Sequence, residues 1–268
     1  METVNRAEED GGAANAPRSE QAQSLERGLA VIKAFGKERT RMTIAEAARA
    51  VGIPRGTAQR FLLTLQHLGY VESDGRYFSL RPRVLELGYR TLAGQSWWPD
   101  AQRISQRVAT FLQMPCAIGV LDGSAAVYVC YASAGQSVLF KRAVGTRLPA
   151  YATAVGRSLL AGLNVNVLHA QLATADLQPL TQFTRRSPTE LAVEIGLVRE
   201  RGYAYVDQEL EIGLASLGVP ILDRDGTTVA AISVSFRPDA INETVIAGSA
   251  MLRQLDVAAT AVTSILPA

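Results

Sequence analysis

Residues 53–60, IPRGTAQR, place Arg55, Thr57, Gln59 and Arg60 at the front of a segment that continues as apolar FLLTLQHL. Guanidinium, hydroxyl and carboxamide groups clustered in this way suit the reading of a nucleic acid. Arg and Gln reach phosphate oxygens and bind purine edges in the major groove, and Thr adds a hydroxyl. A helix opening with these residues also presents its N-terminal amides and positive dipole end to a phosphate. Gly56 shortens the side-chain layer and permits close approach. The other reading is a helix whose free face is merely solvated, and the neighbouring segments must decide.

The groups that carry hydrolytic or metal chemistry form no comparable set. His67 ends the leucine-rich segment and His169 lies in NVLHAQL, neither near a nucleophile motif. GxSxG, HExxH, a Walker loop and a GxGxxG after a strand are all missing. Cys116 and Cys130 lack metal-ligand spacing and read as buried thiols in a reducing compartment. DQELE, Asp207 to Glu211, offers either paired carboxylates or a solvated turn with one polar contact to the core. We expect no catalytic residue, no metal ligand and no cofactor.

The elements that must position the basic cluster are legible around it. Residues 1–23 are Ala, Gly, Glu and Asn with almost no large apolar side chain and predict a disordered tail. From Ser24 as N-cap, Leu25, Leu29, Ile32 and Phe35 recur at helical spacing. TIAEAARAVG predicts a second helix, with Thr43 and Glu46 as a capping box, Ile44, Ala47, Ala48 and Val51 as its buried stripe, and Gly52 at its end. Pro54 opens the third, whose apolar face is Ala58, Phe61, Leu62, Leu65 and Leu68. YVESDGRYFSL predicts a hairpin whose Asp74-Gly75 pair makes a tight two-residue turn. Helix, helix, turn, helix and hairpin make a winged helix-turn-helix over residues 24–83, in which Thr43, Arg55, Gly56, Thr57, Gln59, Arg60 and the wing residue Arg76 are the candidate DNA contacts.

Charge distribution supports that assignment. The formal net charge is +2 over 268 residues, but residues 24–90 hold 12 Lys and Arg against 6 Asp and Glu, a local +6. A basic module beside a near-neutral remainder meets a polyanion through one part only. No apolar run reaches membrane-span length and the polar N-terminus lacks a signal-peptide core, so we expect a cytoplasmic protein with no membrane partner.

A linker helix is expected over 84–98 and a second domain over 99–268. Trp97 and Trp98 read as packing or subunit contacts, with a ligand cage as the alternative. Hairpins around Asp122-Gly123 and Asp225-Gly226, a strand at SVLFKRAV, helices at ATAVGRSLLAGL and PTELAVEIGLVRERGY and a closing helix from Glu243 predict an α+β domain. Strict alternation puts Ser233 and Ser235 on one strand face.

SLERGLAVIKAF, TIAEAARAVGIPRGTAQRFLLTLQHLGYVE and GRYFSLRPRVLELG resemble the N-terminal domain of the isocitrate lyase regulator (IclR) family. GTRLPAYATAVGRSLLA, RERGYAYVDQELEIGLASLGVPI and AAISVSF extend the resemblance over everything after residue 23. This sequence has Gly56 where Ser is common, Ser216 where many members have Cys, and Val206 where many have an acid. The resemblance implies a homodimer or tetramer that binds double-stranded DNA, with a GAF-like effector domain, and RNA polymerase as a further partner if the protein activates. It implies an effector pocket of Leu148, Tyr151, Thr153, Ala154, Val155, Asp207, Ser216, Ser233 and Ser235. DQELEIGLASLGVP is similar to the branch that regulates protocatechuate, p-hydroxybenzoate and β-ketoadipate catabolism, which implies an aromatic or dicarboxylic acid effector; Arg142 and Arg147 are candidates to pair with its carboxylate. A small-molecule enzyme, or a protein-interaction adaptor whose winged helix never meets DNA, remains the alternative.

Overall fold

The computed structural model describes residues 23–36, 39–88, 96–134, 142–240 and 246–267. By contact the chain divides into two compact units, Met1–Arg90 and Thr91–Ala268. The expected N-terminal tail and most of the strand at SVLFKRAV lie outside the described residues, and residues 142–144 form no strand.

The first unit contains α1 (Gln23–Ala34), β1 (Arg41–Met42), α2 (Ile44–Val51), α3 (Arg55–His67), β2 (Val71–Ser73) and β3 (Phe78–Leu80). The strands form an antiparallel sheet of order β1-β3-β2. Val31, Phe35, Met42, Ala47, Leu62, Leu65, Val71 and Phe78 close one core beneath the helices and the wing. Thr43 and Glu46 make the full capping box, and Gly52 takes the left-handed conformation (φ 70°) that ends α2.

Three local expectations are corrected. Ser24 lies inside α1 rather than at its cap. Leu25 and Leu29 face outward, because α1 meets the core through Val31, with Phe35 following just past its end, and Leu68 is exposed as the C-cap of α3. The wing turn holds four residues, since Ser73 pairs with Phe78. Asp74 organises it by accepting the backbone N–H groups of Arg76 and Tyr77 at 3.0 and 2.8 Å.

The second unit contains α4 (Trp98–Leu112), β4 (Cys116–Asp122), β5 (Ala125–Ala132), β6 (Arg147–Pro149), α5 (Ala154–Ala161), α6 (Val165–Thr174), α7 (Pro188–Arg201), β7 (Ala204–Asp207), β8 (Ala215–Leu222), β9 (Thr228–Phe236) and α8 (Ala250–Ile265). Its six antiparallel strands run in the order β6-β5-β4-β9-β8-β7. Period-two alternation gives the sheet two different faces. Cys116, Ile118, Leu217, Val219, Ile232 and Val234 pack beneath α4 and α8. The opposite face carries Ala117, Ser216, Gly218, Ala231, Ser233 and Ser235 and receives α5, which α6 and α7 flank.

Two missing side chains let α5 come this close. A Cβ on Gly218 would stand 2.9 Å from the Ala154 carbonyl carbon, and one on Gly119 would stand 3.0 Å from Val155 Cγ2. Gly218→Ala is therefore expected to destabilise this unit by about 1–3 kcal/mol through overpacking against backbone, more than the roughly 0.5–1 kcal/mol returned by restricting the unfolded chain. Urea unfolding checks it; a neutral or stabilising result would contradict the close approach.

Candidate nucleic-acid interface and ligand pocket

α3 buries Ala58, Leu62 and Leu65 and half-buries Phe61, so its other side is free. Arg55, Gly56, Gln59 and Arg60 are exposed and Thr57 is half-buried. A shallow groove along this side is lined by Gly56, Gln59, Arg60, Leu63, Thr64 and His67. Pro54 caps the helix without a side-chain hydrogen bond, so the first amides of α3 stay open to an anion. On the wing, the guanidiniums of Arg41 and Arg76 lie 5.1 and 5.2 Å from the Tyr77 ring centroid, and Arg41 also pairs with Asp74. Thr43 is committed elsewhere: its hydroxyl donates to Glu46 and accepts the Glu46 amide.

In the second unit a narrow pocket opens between the sheet and the start of α5. Ala117, Ser216, Ser233 and Ser235 form the sheet side, Thr153, Ala154 and Val155 the helix side, and Tyr128, Tyr131, Arg142, Leu210 and Leu214 the rest of the wall. Thr153 is the N-cap of α5: its hydroxyl accepts the Gly156 amide at 3.1 Å and donates to the Pro149 carbonyl at 3.3 Å. The helix therefore starts at the pocket, where its dipole favours a negative group.

The two tyrosines reach the pocket through a β-bulge. β4 and β5 pair Ile118 with Cys130 but Gly119 with Tyr128, which leaves Val129 as the extra residue. Without it, Tyr128 and Tyr131, three positions apart, would face opposite sides. With it both rings face the pocket, stacked at 6.3 Å and 13°. α4 secures the distortion: Trp98 Nε1 donates to the Val129 carbonyl at 2.7 Å, and Gln102 bonds both the carbonyl and the N–H of Tyr131. Trp98 is thus a packing residue that holds the bulge. Burial pushes the Tyr128 phenol up to about 12, against the charge of Arg142, and also raises that of Tyr131. Both are neutral donors near pH 7.

The pocket brings together Thr153, Ala154, Val155, Ser216, Ser233 and Ser235 among the residues expected from the sequence. Leu148, Tyr151 and Asp207 lie outside its lining. Leu148 packs behind Tyr128 and Val155, the Tyr151 hydroxyl donates to the Gln178 carbonyl at 2.8 Å, and Asp207 is exposed at the end of β7. Arg142 is in the wall, whereas Arg147 pairs with Asp122 away from it.

Sequence reasoning also missed the polar support below the pocket. Arg157 on α5 and Glu209, both fully buried, pair at 2.6 Å. Arg157 Nε also donates to the Tyr151 carbonyl, and Glu209 accepts the amide and guanidinium of Arg185. Burial lowers the Arg157 pKa, against the charge of Glu209. The DQELE stretch is not a paired-carboxylate site; it is the turn with one polar contact to the core, and Glu209 makes that contact.

The IclR helix-turn-helix domain pattern matches residues 24–75 and the bacterial IclR C-terminal domain pattern matches residues 95–264. This chain belongs to the IclR family. It is 40% identical to the Pca regulon regulatory protein of Pseudomonas putida over 79% of this chain and 73% of that protein. It is 32% identical to the p-hydroxybenzoate hydroxylase transcriptional activator of Acinetobacter baylyi over 78% of this chain and 79% of that protein. A transcriptional regulator from Rhodococcus sp. RHA1 has the same fold, with a TM-score of 0.81 and 41% identity over 92% of this chain and 98% of that one. As an IclR-family member the chain is a DNA-binding transcriptional regulator with an α+β C-terminal domain. No helix among the described residues is long and apolar enough to cross a membrane.

Proposed function

We propose that an aromatic or dicarboxylic acid, bound in the pocket between α5 and the sheet, controls operator binding by this protein. The convergence of Arg142, the α5 N-terminus and two neutral tyrosines on one narrow cavity carries the reading. A carboxylate gains a guanidinium and a helix dipole there, while the stacked tyrosine rings accept an aromatic or aliphatic body and the serine hydroxyls its polar substituents. The names of the Pseudomonas and Acinetobacter relatives support the aromatic-acid class.

In this reading Arg55, Gly56, Thr57, Gln59 and Arg60 enter the major groove and Arg76 reaches the backbone or minor groove from the wing. Thr43 orders the front of α2 near the duplex. A homodimer or tetramer presents the paired modules, and RNA polymerase is a partner where the protein activates. The acid shifts operator affinity to the extent that it prefers one arrangement of the oligomer.

The test is binding of the purified protein to its own upstream DNA across a salt series, with and without protocatechuate, p-hydroxybenzoate and β-ketoadipate. One acid is expected to shift the affinity of the wild-type protein, and Arg142→Gln to weaken that acid's effect about tenfold or more, as loss of a charge-assisted hydrogen bond allows. Operator binding indifferent to all three acids overturns the effector class.

A further inference from the structure

Arg142 already holds a carboxylate in this structure. Its Nη2 lies 2.6 Å from Glu211 Oε2, although the two residues are 69 positions apart and Arg142 is otherwise a wall of the pocket. We propose that Glu211 is the pocket's internal competitor: it occupies the carboxylate-binding guanidinium in the unliganded state, and an acid effector enters by displacing it. The inference rests on the acid-binding reading above and adds the means by which occupancy reaches the rest of the domain.

The segment that carries Glu211 is built for such an exchange. Gln208 to Leu214 form a loop between β7 and β8, closed at its base by the Gln208 N–H donating to the Leu214 carbonyl at 2.8 Å. Gln208 Oε1 also accepts the Gly213 amide at 3.0 Å. Glu209 fixes one side of the loop inward through the buried pair with Arg157. Two residues later Glu211 reaches Arg142, with about half of its side chain exposed. Between and beyond them, Leu210 and Leu214 are pocket walls. Releasing Glu211 therefore loosens the tip of the loop that supplies part of the cavity, while its hydrogen-bonded base and its buried anchor stay in place. A pair this exposed is weak enough to be broken by a ligand and strong enough to discriminate against neutral ones.

The exchange also sets specificity. A ligand without an anionic group gains nothing at Arg142 that Glu211 does not already supply, so it leaves the loop closed. An acid replaces one carboxylate by another and adds contacts to the tyrosines, the serines and the α5 N-terminus.

The experiment is calorimetric titration of the full chain, as wild type, Glu211→Gln and Arg142→Gln, with p-hydroxybenzoate, protocatechuate and β-ketoadipate, and with p-hydroxybenzamide as the neutral probe. Glu211→Gln is expected to tighten binding of an acid by about three- to thirtyfold, the range of a half-exposed charged hydrogen bond, and to leave the amide within about twofold. Arg142→Gln is expected to erase the preference for acid over amide. Acid binding by Glu211→Gln where the wild type shows none supports the proposal equally. Acid binding that is unchanged or weaker in Glu211→Gln overturns the competitor and leaves the acid-binding reading standing. Failure of all three proteins to bind any of the acids overturns both. Circular dichroism of each variant establishes that the fold is kept.

Discussion

Glu209→Ala is expected to destabilise the C-terminal unit by about 3–5 kcal/mol, because it strands a buried guanidinium without its counter-charge. Arg157 and Glu209 are 52 positions apart and both are removed from water. The carboxylate does more than neutralise Arg157: it also receives the Arg185 amide at 2.9 Å and the Arg185 guanidinium, so one substitution undoes three contacts. Folded domains hold only about 5–15 kcal/mol in reserve, so the unit would lose a large share of its stability. The paired replacement Arg157→Met with Glu209→Met is expected to recover most of the loss, since well-packed apolar side chains often match or exceed a buried ion pair. Urea unfolding of both variants decides. A loss below about 1 kcal/mol for the single variant would show that the pair does not organise the domain. Because Glu209 anchors the loop that carries Leu210 and Leu214, the single variant should also lose effector binding before it unfolds globally.

Arg55→Ala and Arg60→Ala are expected to have the largest effects on operator binding, about 1–3 kcal/mol each per half-site if the side chain reads a base edge. Both guanidiniums stand exposed on the open side of α3. Neither guanidinium makes a hydrogen bond or ion pair among the described residues, so lost affinity reports on DNA rather than on folding. The salt dependence separates two roles. A phosphate contact lowers the slope of log K against log salt by about 0.9 for each phosphate released, with similar effects on all sequences. A base contact leaves the slope and relaxes the preference at one position of the site. Unchanged affinity in both variants across the salt series would remove the front of α3 from the interface.

The N-terminal module was readable from sequence because its signals are local. The capping box at Thr43 and Glu46, the left-handed Gly52 and the apolar spacing of α3 from Ala58 to Leu65 are each set within a few residues, and the structure keeps them. Alternation likewise placed Ser233 and Ser235 on one face, and both line the pocket. Local reading failed where partners compete over distance. Periodicity in α1 pointed to Leu25 and Leu29, but which side of a helix is buried depends on what packs against it, and here Val31 takes the core.

Sequence by itself thus determined the family, the α+β class, the winged module and the basic face of α3, all of which rest on short-range patterns or on charge. Tertiary structure alone decided the polar interior of the second domain. One extra residue at Val129 reverses the alternation of β5 and turns Tyr131 to the same side as Tyr128. No composition or period announces a bulge, because it exists only in the register between two strands. The pairs Arg157–Glu209 and Arg142–Glu211 join side chains 52 and 69 positions apart. A charged residue carries no mark of whether it will face water, a buried partner or a ligand until the fold has closed around it.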